Sequence, residues 1–522
     1  MFWLSGAAER DPASRPTHSL AVRRNGQSTK CREYHVVSRM GGPHELGVFN
    51  NGVSAVERAM VERYFLCKVG DEFLPALETK RRDWESKYLT QFRQQVVVDV
   101  RQYATVLSLY EVVMRYTGAK RRVYESAHRS LLRRCLNRKD AHLRPFTKFE
   151  KQLLTKAPRI INPRSPRYNL VLGRYLKAAE KYYFNAINKV WGAHTDHTVI
   201  KGMNVFESAK VMKAKWDRFR NPVAIGLDAS KFDMHVSVEA LLYEHSFYNR
   251  TFNSAELAEL LSMQVHNKGR AFCKDGEVSF RMPGTRSSGD LNTSLGNCII
   301  MCSLIWAMCQ ELGIEAELAN NGDDCVLFVE REVLSDVLAK VPHYFHKYGF
   351  RMTVEDPVYE FEKVEFCQSR PVELKTGWAM VRNVRTCLKK DPMCLISVQN
   401  NKVWRKWLGA VGECGLASVP GCPVLQSFYG AFKRAGVKAT SRFKEGLFKN
   451  TGVLERCNGV DQVDSEITDN ARASFFRATG ITPDYQIALE AYYEKIEIGG
   501  VDESLYGNGV AEVRPPAFLR HL

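Results

Sequence analysis

A chain of 522 residues is long for one compact core and predicts two or three subdomains. Its 45% hydrophobic and 25% charged residues exclude a largely disordered protein; its 14 cysteines show no Cys-x-x-Cys pair and no Cys/His zinc pattern, which excludes a small disulfide-stapled module and points to a reducing compartment. The formal charge of +17 leaves two readings of the surface, a solvated self-repelling coat or a contact face for a polyanion such as RNA.

Residues 1–40 are rich in Arg, Ser, Pro and Gly without periodicity and predict a poorly ordered N-terminal extension. Met1–Gly6 is apolar, but Glu9, Arg10 and Asp11 end the run too early for a signal peptide, and no stretch reads as the roughly 20 apolar residues of a spanning helix. If the protein works at a membrane, another segment or partner must bring it there. Residues 110–140 predict a basic helical stretch, with Lys120, Arg121, Arg122, Arg129, Arg133, Arg134, Arg138 and Lys139 interleaved with Tyr124, Leu131 and Leu132. Such a pattern serves equally as a solvated helix face or as a contact for phosphates. Over 156–177, Lys156, Arg159, Arg164, Arg167, Arg174 and Lys177 alternate with Pro158, Pro163 and Pro166, and the prolines predict an extended basic arm.

From 221 the pattern turns to mixed α/β, an α+β fold class. Val223–Leu227 is a short apolar run typical of a buried strand, and 236–247 reads as a helix. Leu291–Leu312 predicts a long buried helix, with Cys298 and Cys302 as buried thiols; Cys325–Val329 reads as a second strand. Val333, Leu334, Val337, Leu338, Val341 and Phe345 recur at helical spacing, and Lys363–Cys367 reads as a further strand. Beyond 371, helices and loops carry a basic, aromatic segment that includes Trp404, Arg405, Lys406 and Trp407.

The strand over 223–227 delivers Asp228 at its C-terminal end, with Asp233 five residues on. Asn320-Asn321-Gly322-Asp323-Asp324 reads as a hairpin turn, since Asn and Gly tolerate the positive φ of such turns. Adjacent aspartates repel each other and do nothing for a core, so they are stable when solvated or when bound to a cation. Carboxylates from neighbouring strands suit a pair of Mg²⁺ ions, with Asp228 and Asp323 as principal ligands and Asp324 as a third; such ions activate a 3′-hydroxyl and steady a pyrophosphate leaving group. Between these elements, Ser288-Gly289-Asp290-Leu291-Asn292-Thr293-Ser294-Leu295-Gly296-Asn297 opens a helix. Helix capping accounts for Ser288 or Asp290 but not for Asn297, one turn further in. Asp233, Ser288, Thr293 and Asn297 are expected to form a polar cluster that reads a ribose 2′-hydroxyl.

The order of these pieces resembles the right-hand RNA-dependent RNA polymerases of positive-strand RNA viruses: basic arm, Asp-x4-Asp, Ser-Gly-x3-Thr-x3-Asn, Gly-Asp-Asp. The stretch Pro158-Arg159-Ile160-Ile161-Asn162-Pro163-Arg164-Ser165-Pro166-Arg167-Tyr168-Asn169 is similar to the tombusvirus-like (Tombusviridae and umbravirus-like) plant viruses in particular. So are Arg121-Arg122-Val123-Tyr124, Ala141-His142-Leu143, Lys201-Gly202-Met203-Asn204, Val364-Glu365-Phe366-Cys367-Gln368 and Gly412-Glu413-Cys414-Gly415-Leu416-Ala417, so that the resemblance covers roughly 105–430.

The resemblance implies fingers, palm and thumb, with the palm built on an antiparallel sheet. The boundaries it suggests are 1–40 for the extension, 41–220 for fingers with the nucleotide-entry arm, 221–370 for a palm with a fingers insertion near 266–286, and 371–522 for the thumb and C-terminal region. Lys156, Arg159 and Arg167 would meet the triphosphate of the incoming nucleotide. A lysine protonating pyrophosphate is expected among Lys340, Lys347 and Lys363. The implied cofactor is Mg²⁺, with Mn²⁺ able to substitute. The implied partners are a single-stranded RNA template, the nascent RNA, NTPs, and an upstream viral replication protein that supplies the membrane anchor in host cytoplasm. A basic RNA-binding scaffold would explain the charge but not the ordered carboxylates. A reverse transcriptase would call for an aromatic gate where this sequence has a polar cluster.

Overall fold

The computed structural model describes residues 20–41, 46–192, 197–448, 451–460 and 465–500. In chain order its principal elements begin with β1 (Leu20–Arg24), α1 (Val53–Met60), α2 (Lys87–Arg101), α3 (Gly118–Arg133), α4 (Pro166–Trp191) and α5 (Val205–Asp217). There follow β2 (Pro222–Ala229), α6 (Val238–Phe252), β3 (His266–Cys273), β4 (Gly276–Pro283), α7 (Thr293–Leu312), β5 (Ala316–Asn321), β6 (Asp324–Glu330), α8 (Leu334–Lys347) and β7 (Met352–Val354). The C-terminal part holds β8 (Ser369–Leu374), β9 (Gly377–Arg382), α9 (Asn401–Ala417), α10 (Leu425–Ala435), α11 (Asp469–Thr479) and α12 (Pro483–Lys495).

A four-stranded sheet in the order β5-β6-β2-β7 organises the middle of the chain, every neighbouring pair antiparallel. Successive side chains of a strand point to opposite faces, and here both faces are apolar. Val223, Ile225, Leu227, Cys325, Leu327 and Val329 enter the largest core, while Ala224, Val326 and Phe328 enter a second core with Met212 and Trp216 of α5. Burial on both sides explains why these strands read as continuous apolar runs. The large core is filled by α7 together with α2, α4, α6 and α8. Helix α7 ends at Gly313, whose φ of 65° forms a left-handed cap. It has the length and apolar composition of a membrane span, contrary to the reading that no stretch reaches that length, but its residues are buried as the hub of this core.

Four sequence expectations change. Of residues 1–40, 1–19 lie outside the described residues, but Leu20–Arg24 is a strand on β4 and His35–Val36 pairs with Met393–Cys394. Period-2 alternation over five residues was too short to stand out from the polar composition. The extended arm stops at Ser165. Pro166 occupies the first helical position, where its missing N–H costs nothing and its fixed φ suits the helix, and the Ser165 side chain caps the Arg167 N–H at 3.2 Å. Residues 166–177 are therefore helical. Lys363–Cys367 is not a strand: a 3₁₀ turn ends at Lys363, and Cys367 and Gln368 adopt φ of 50° and 59°, which reverses the chain into β8. The helix read over 236–247 begins at Val238 behind the Ser237 cap and follows a separate turn at Phe232–His235.

In the C-terminal part, the β8–β9 hairpin packs with α9 to α12 on its own apolar core. Trp404 and Trp407 stack there at 5.1 Å and are buried, so this aromatic pair faces the core and not solvent. Residues 501–522 lie outside the described residues.

Candidate functional site

The β5–β6 hairpin turns over two residues, Gly322 and Asp323, and only Gly322 has a positive φ, 86°. Glycine at the first central position is what a two-residue turn with one positive φ requires. Asn320 braces the turn from below, donating to the Gly322 carbonyl at 2.7 Å while its Oδ1 accepts the Gly322 N–H at 3.3 Å. The Asn320 main chain is itself held by Thr198 and Ile200 at 2.9 and 2.8 Å, so the segment ahead of α5 lies alongside the turn. The β6–β2 register ends at Cys325↔Leu227. One step further toward the turn, Asp324 and Asp228 lie side by side on strands about 5 Å apart. Sequence spacing alone leaves this convergence open; the register brings it about.

Asp228, Asp323 and Asp324 are exposed to solvent, and the protein packed around the turn still desolvates the Asp323 and Asp324 carboxyls in part. Burial, and then the neighbouring Asp228, push the Asp323 carboxyl above the usual carboxylate range. Burial and Asp323 push Asp324 up to about 6. Lys201 and Arg159 oppose the shift at Asp323, and Lys201 does so at Asp324. A second-row carboxylate, Glu355, lies across the Gly226 backbone beside Asp228 and is also pushed up, by burial and by Glu365 and Asp228. Among the described residues no three His, Cys, Asp or Glu side chains form a ready-made cation cage. Crowded carboxylates that repel one another without closing a cage fit Mg²⁺, which takes one or two carboxylates and completes its shell with phosphate oxygens and water.

Asp233 sits next to this turn. Burial and the nearby Asp323 push it up to about 7, while Arg286, a hydrogen bond from Asn297 and Arg159 act against the rise. The orientation of Asn297 follows from Arg286, whose Nε donates to Asn297 Oδ1 at 3.0 Å and leaves the amide nitrogen for Asp233. Arg286 is fully buried and ion-pairs with Glu244 of α6. Asn297 also lines the turn: a Cβ on Gly322 would lie 3.7 Å from its own Cβ. Asp233 and Asn297 thus meet at the carboxylates. Ser288 and Thr293 are engaged elsewhere. Ser288 donates to the Ile160 carbonyl at 2.9 Å and accepts from Tyr64 at 3.3 Å, and Thr293 donates to the Ser287 and Asp290 carbonyls at 2.8 and 3.0 Å. Both hydroxyls shape the loop before α7. Gly289 in that loop touches the arm at Asn162 and Pro163, where any side chain would come within 2.7 Å of backbone atoms.

The arm divides by function. Arg159 is exposed and, though within 3.3 Å of Glu150, acts on both Asp233 and Asp323 from the same cleft. Lys156 is exposed beside Lys231. Arg167 is not free to meet a triphosphate. Its guanidinium is buried against Asp140 at 3.1 Å and donates to Ser130 Oγ and to the Arg134 and Cys135 carbonyls at 2.7 to 2.9 Å, so it closes the C-terminal end of α3. Arg164 is likewise buried, on Asp290. The three lysines considered as proton donors have carboxylate neighbours away from the turn: Lys340 at 2.8 Å from Glu311, Lys347 at 3.8 Å from Asp83 and Lys363 at 3.6 Å from Glu360.

Lys201, Arg286 and Glu355 were missed as site residues. Lys201 stood within a recognised motif, but only the pairing of Thr198–Ile200 with Asn320 carries it to the turn. Arg286 and Glu355 gave no local signal, because their partners come from α6, α7 and β2.

A sequence profile of the family described as viral RNA dependent RNA polymerase matches residues 20–500. The RNA-directed RNA polymerase of tobacco necrosis virus (strain A) is 40% identical over 509 residues, 95% of this chain and 69% of that protein. Those of turnip crinkle virus and tomato bushy stunt virus (strain Cherry) are 38% and 39% identical over 90% and 97% of this chain, which spans 60% of each of them.

Proposed function

The chain belongs to the viral RNA-dependent RNA polymerase family, and on that premise we propose that it copies a positive-strand RNA genome, extending an RNA 3′ end with nucleotides directed by a template. The observation that carries this reading is the gathering of Asp228 at the end of β2 with Asp323 and Asp324 at the braced turn of the neighbouring hairpin, where burial and then mutual repulsion raise the last two. In this reading the β5-β6-β2-β7 sheet is the palm, the N-terminal elements with the β3–β4 hairpin are the fingers, and α9 to α12 belong to the thumb.

Asp228 and Asp323 would hold Mg²⁺, with Asp324 as the outer ligand. Bound there, the metal supplies charge stabilisation for the phosphates and lowers the pKa of the attacking hydroxyl. The reaction joins the 3′-oxygen to the α-phosphorus of an NTP, breaks the bond to the β-phosphate and releases pyrophosphate and a proton. Arg159, which acts on Asp323, and Lys156, exposed three residues earlier on the arm beside Lys231, would be the cations for the triphosphate. Asp233 and Asn297 present an acceptor and a donor beside the turn, suited to a 2′-hydroxyl. Lys201 faces the same carboxylates and limits their repulsion before substrate enters. Recruitment to membranes would depend on an upstream viral replication protein.

The test is template-directed incorporation of labelled NTPs by the purified chain with Mg²⁺. D228N and D323N should abolish incorporation while RNA binding and folding persist. Incorporation by either variant near the parental rate would remove the metal assignment. N297A and D233N should narrow the preference for ribo- over deoxyribonucleotides, and an unchanged preference in both would remove the ribose reading.

A further inference from the structure

Strands β1, β4 and β3 form a separate three-stranded sheet whose inner face packs on α1, with Ala271, Val278, Phe280 and Met282 buried. The outer face follows from the alternation of β3, in which Lys268, Arg270 and Phe272 are exposed and Asn267, Gly269 and Ala271 are buried. The register then sets Lys268 directly opposite Arg281. Like charges across a strand pair are destabilising, and neither side chain has an ion-pair partner among the described residues. Arg270, next along the strand, is within 3.5 Å of Glu277, and Phe272 is 61% exposed beyond it.

A wall of residues 139–144 rises along the β3 edge. Leu143 exchanges main-chain hydrogen bonds with Lys268 and Arg270 at 2.9 and 3.0 Å. That edge is therefore already covered in the middle, and its cations are not needed to discourage strand-to-strand aggregation. The wall adds Lys139 and Arg144, and the groove between wall and sheet has a volume of about 630 Å³ with no carboxylate in its lining. His142, inside it, is pushed below its ordinary pKa by burial and then by Lys268, Lys139, Arg164 and Arg144, as expected beside clustered cations. The cations that act on the catalytic-turn carboxylates and Asp233 are Lys201, Arg159 and Arg286, none of which lines this groove.

We propose that this groove is a second RNA site, where Lys139, Arg144, Lys268, Arg270 and Arg281 hold the phosphates of a single-stranded segment and Phe272 stacks on one of its bases. Paired cations that repel each other on a rigid sheet are stabilised by a polyanion, and an exposed aromatic among them selects unpaired bases over a duplex, whose base faces are hidden. The choice of RNA as the ligand rests on the polymerase reading; the electropositive groove itself does not.

The experiment is equilibrium binding of a fluorescent oligouridylate to the full chain across a salt series, with K268E/R281E, F272A and K268R/R281K. K268E/R281E should weaken binding at least tenfold and flatten the slope of log K against log salt by about 1.4, the loss of two single-strand phosphate contacts. F272A should weaken binding about tenfold with the slope unchanged. K268R/R281K should restore affinity, which separates charge from misfolding. Unchanged affinity and slope in both K268E/R281E and F272A would overturn the site. An equal loss on duplex RNA would overturn the single-strand assignment. If the groove variants lose RNA while the parent shows no template-directed synthesis, the site stands and the polymerase reading fails.

Discussion

Replacing Arg286 by Met should expose how much of the site rests on one buried charge pair. Arg286 and Glu244 are both fully buried, and Glu244 receives hydrogen bonds from Tyr248 Oη at 2.8 Å and Asn292 Nδ2 at 2.7 Å besides the guanidinium. Gly296 leaves the room they need, since a Cβ there would fall 2.3 to 2.4 Å from their side-chain atoms. R286M leaves a carboxylate enclosed with neutral donors only, a defect that costs about 3–5 kcal/mol. R286M/E244Q removes the stranded charge while Gln still accepts from Tyr248 and Asn292. Its cost should fall to about 1–2 kcal/mol, the scale of a lost hydrogen bond and imperfect packing. Denaturant unfolding followed by fluorescence reads this directly, because Trp84 and Trp306 lie in the core that contains α6 and α7. The double variant should be more stable than the single one. A single variant within 1 kcal/mol of the parent, or a double variant no better than the single, would refute the argument. Loss of the donor to Asn297 Oδ1 should persist in both, so ribose selectivity should stay impaired even where stability returns.

Two further outcomes are expected. His245 is buried against Gln264 at 3.1 Å, and burial, reinforced by Arg286 and opposed by Glu244, lowers its pKa to about 4. With an unfolded value near 6.5, the unfolded chain takes up the proton first, so the stability due to neutral His245 is complete above pH 6.5 and is lost as pH falls toward 4. The parent should lose about 3 kcal/mol relative to H245Q between pH 7 and pH 4, as measured by paired denaturation curves; parallel curves would contradict it. G322A forces a Cβ onto a backbone with φ of 86° and should cost about 1–2 kcal/mol. It should also reduce synthesis by displacing Asp323, whereas synthesis at the parental rate would show that the turn tolerates the shift.

The sheet and its buried helix were legible because their signals are local. Two-sided apolar runs at 223–227 and 325–329, glycine in a two-residue turn and a nearly uncharged stretch over 293–312 each name their element without reference to a distant partner. Asp228, Asp323 and Asp324 could be placed at the ends of those elements for the same reason. Asn297 was legible as a polar residue ahead of an apolar run, and Asp233 by its spacing five residues after Asp228. Ser288 and Thr293 were grouped with them as a polar cluster before α7, yet their hydroxyls are spent on carbonyls of their own loop and of the arm. Composition cannot separate a hydroxyl that shapes a loop from one that faces a ligand.

The arm marks the boundary of what local rules decide. Proline disfavours helix in the residue before it and within a helix interior, but at the first helical position it favours the start, so Pro166 is compatible with either reading until the cap at Ser165 is known. Once α4 begins there, Arg167 sits in its first turn and turns inward to the end of α3, while Arg159, eight residues earlier on the extended part, remains in the cleft. Two arginines with the same sequence signature thus take opposite roles, one holding two helices together and one contributing field at the carboxylates. The difference is set by Asp140 and by the open C-terminal carbonyls of α3, which lie some 30 residues away in sequence. Charge on the arm is therefore divided by which buried acceptors need a donor, and only the cations left over remain exposed beside the carboxylates.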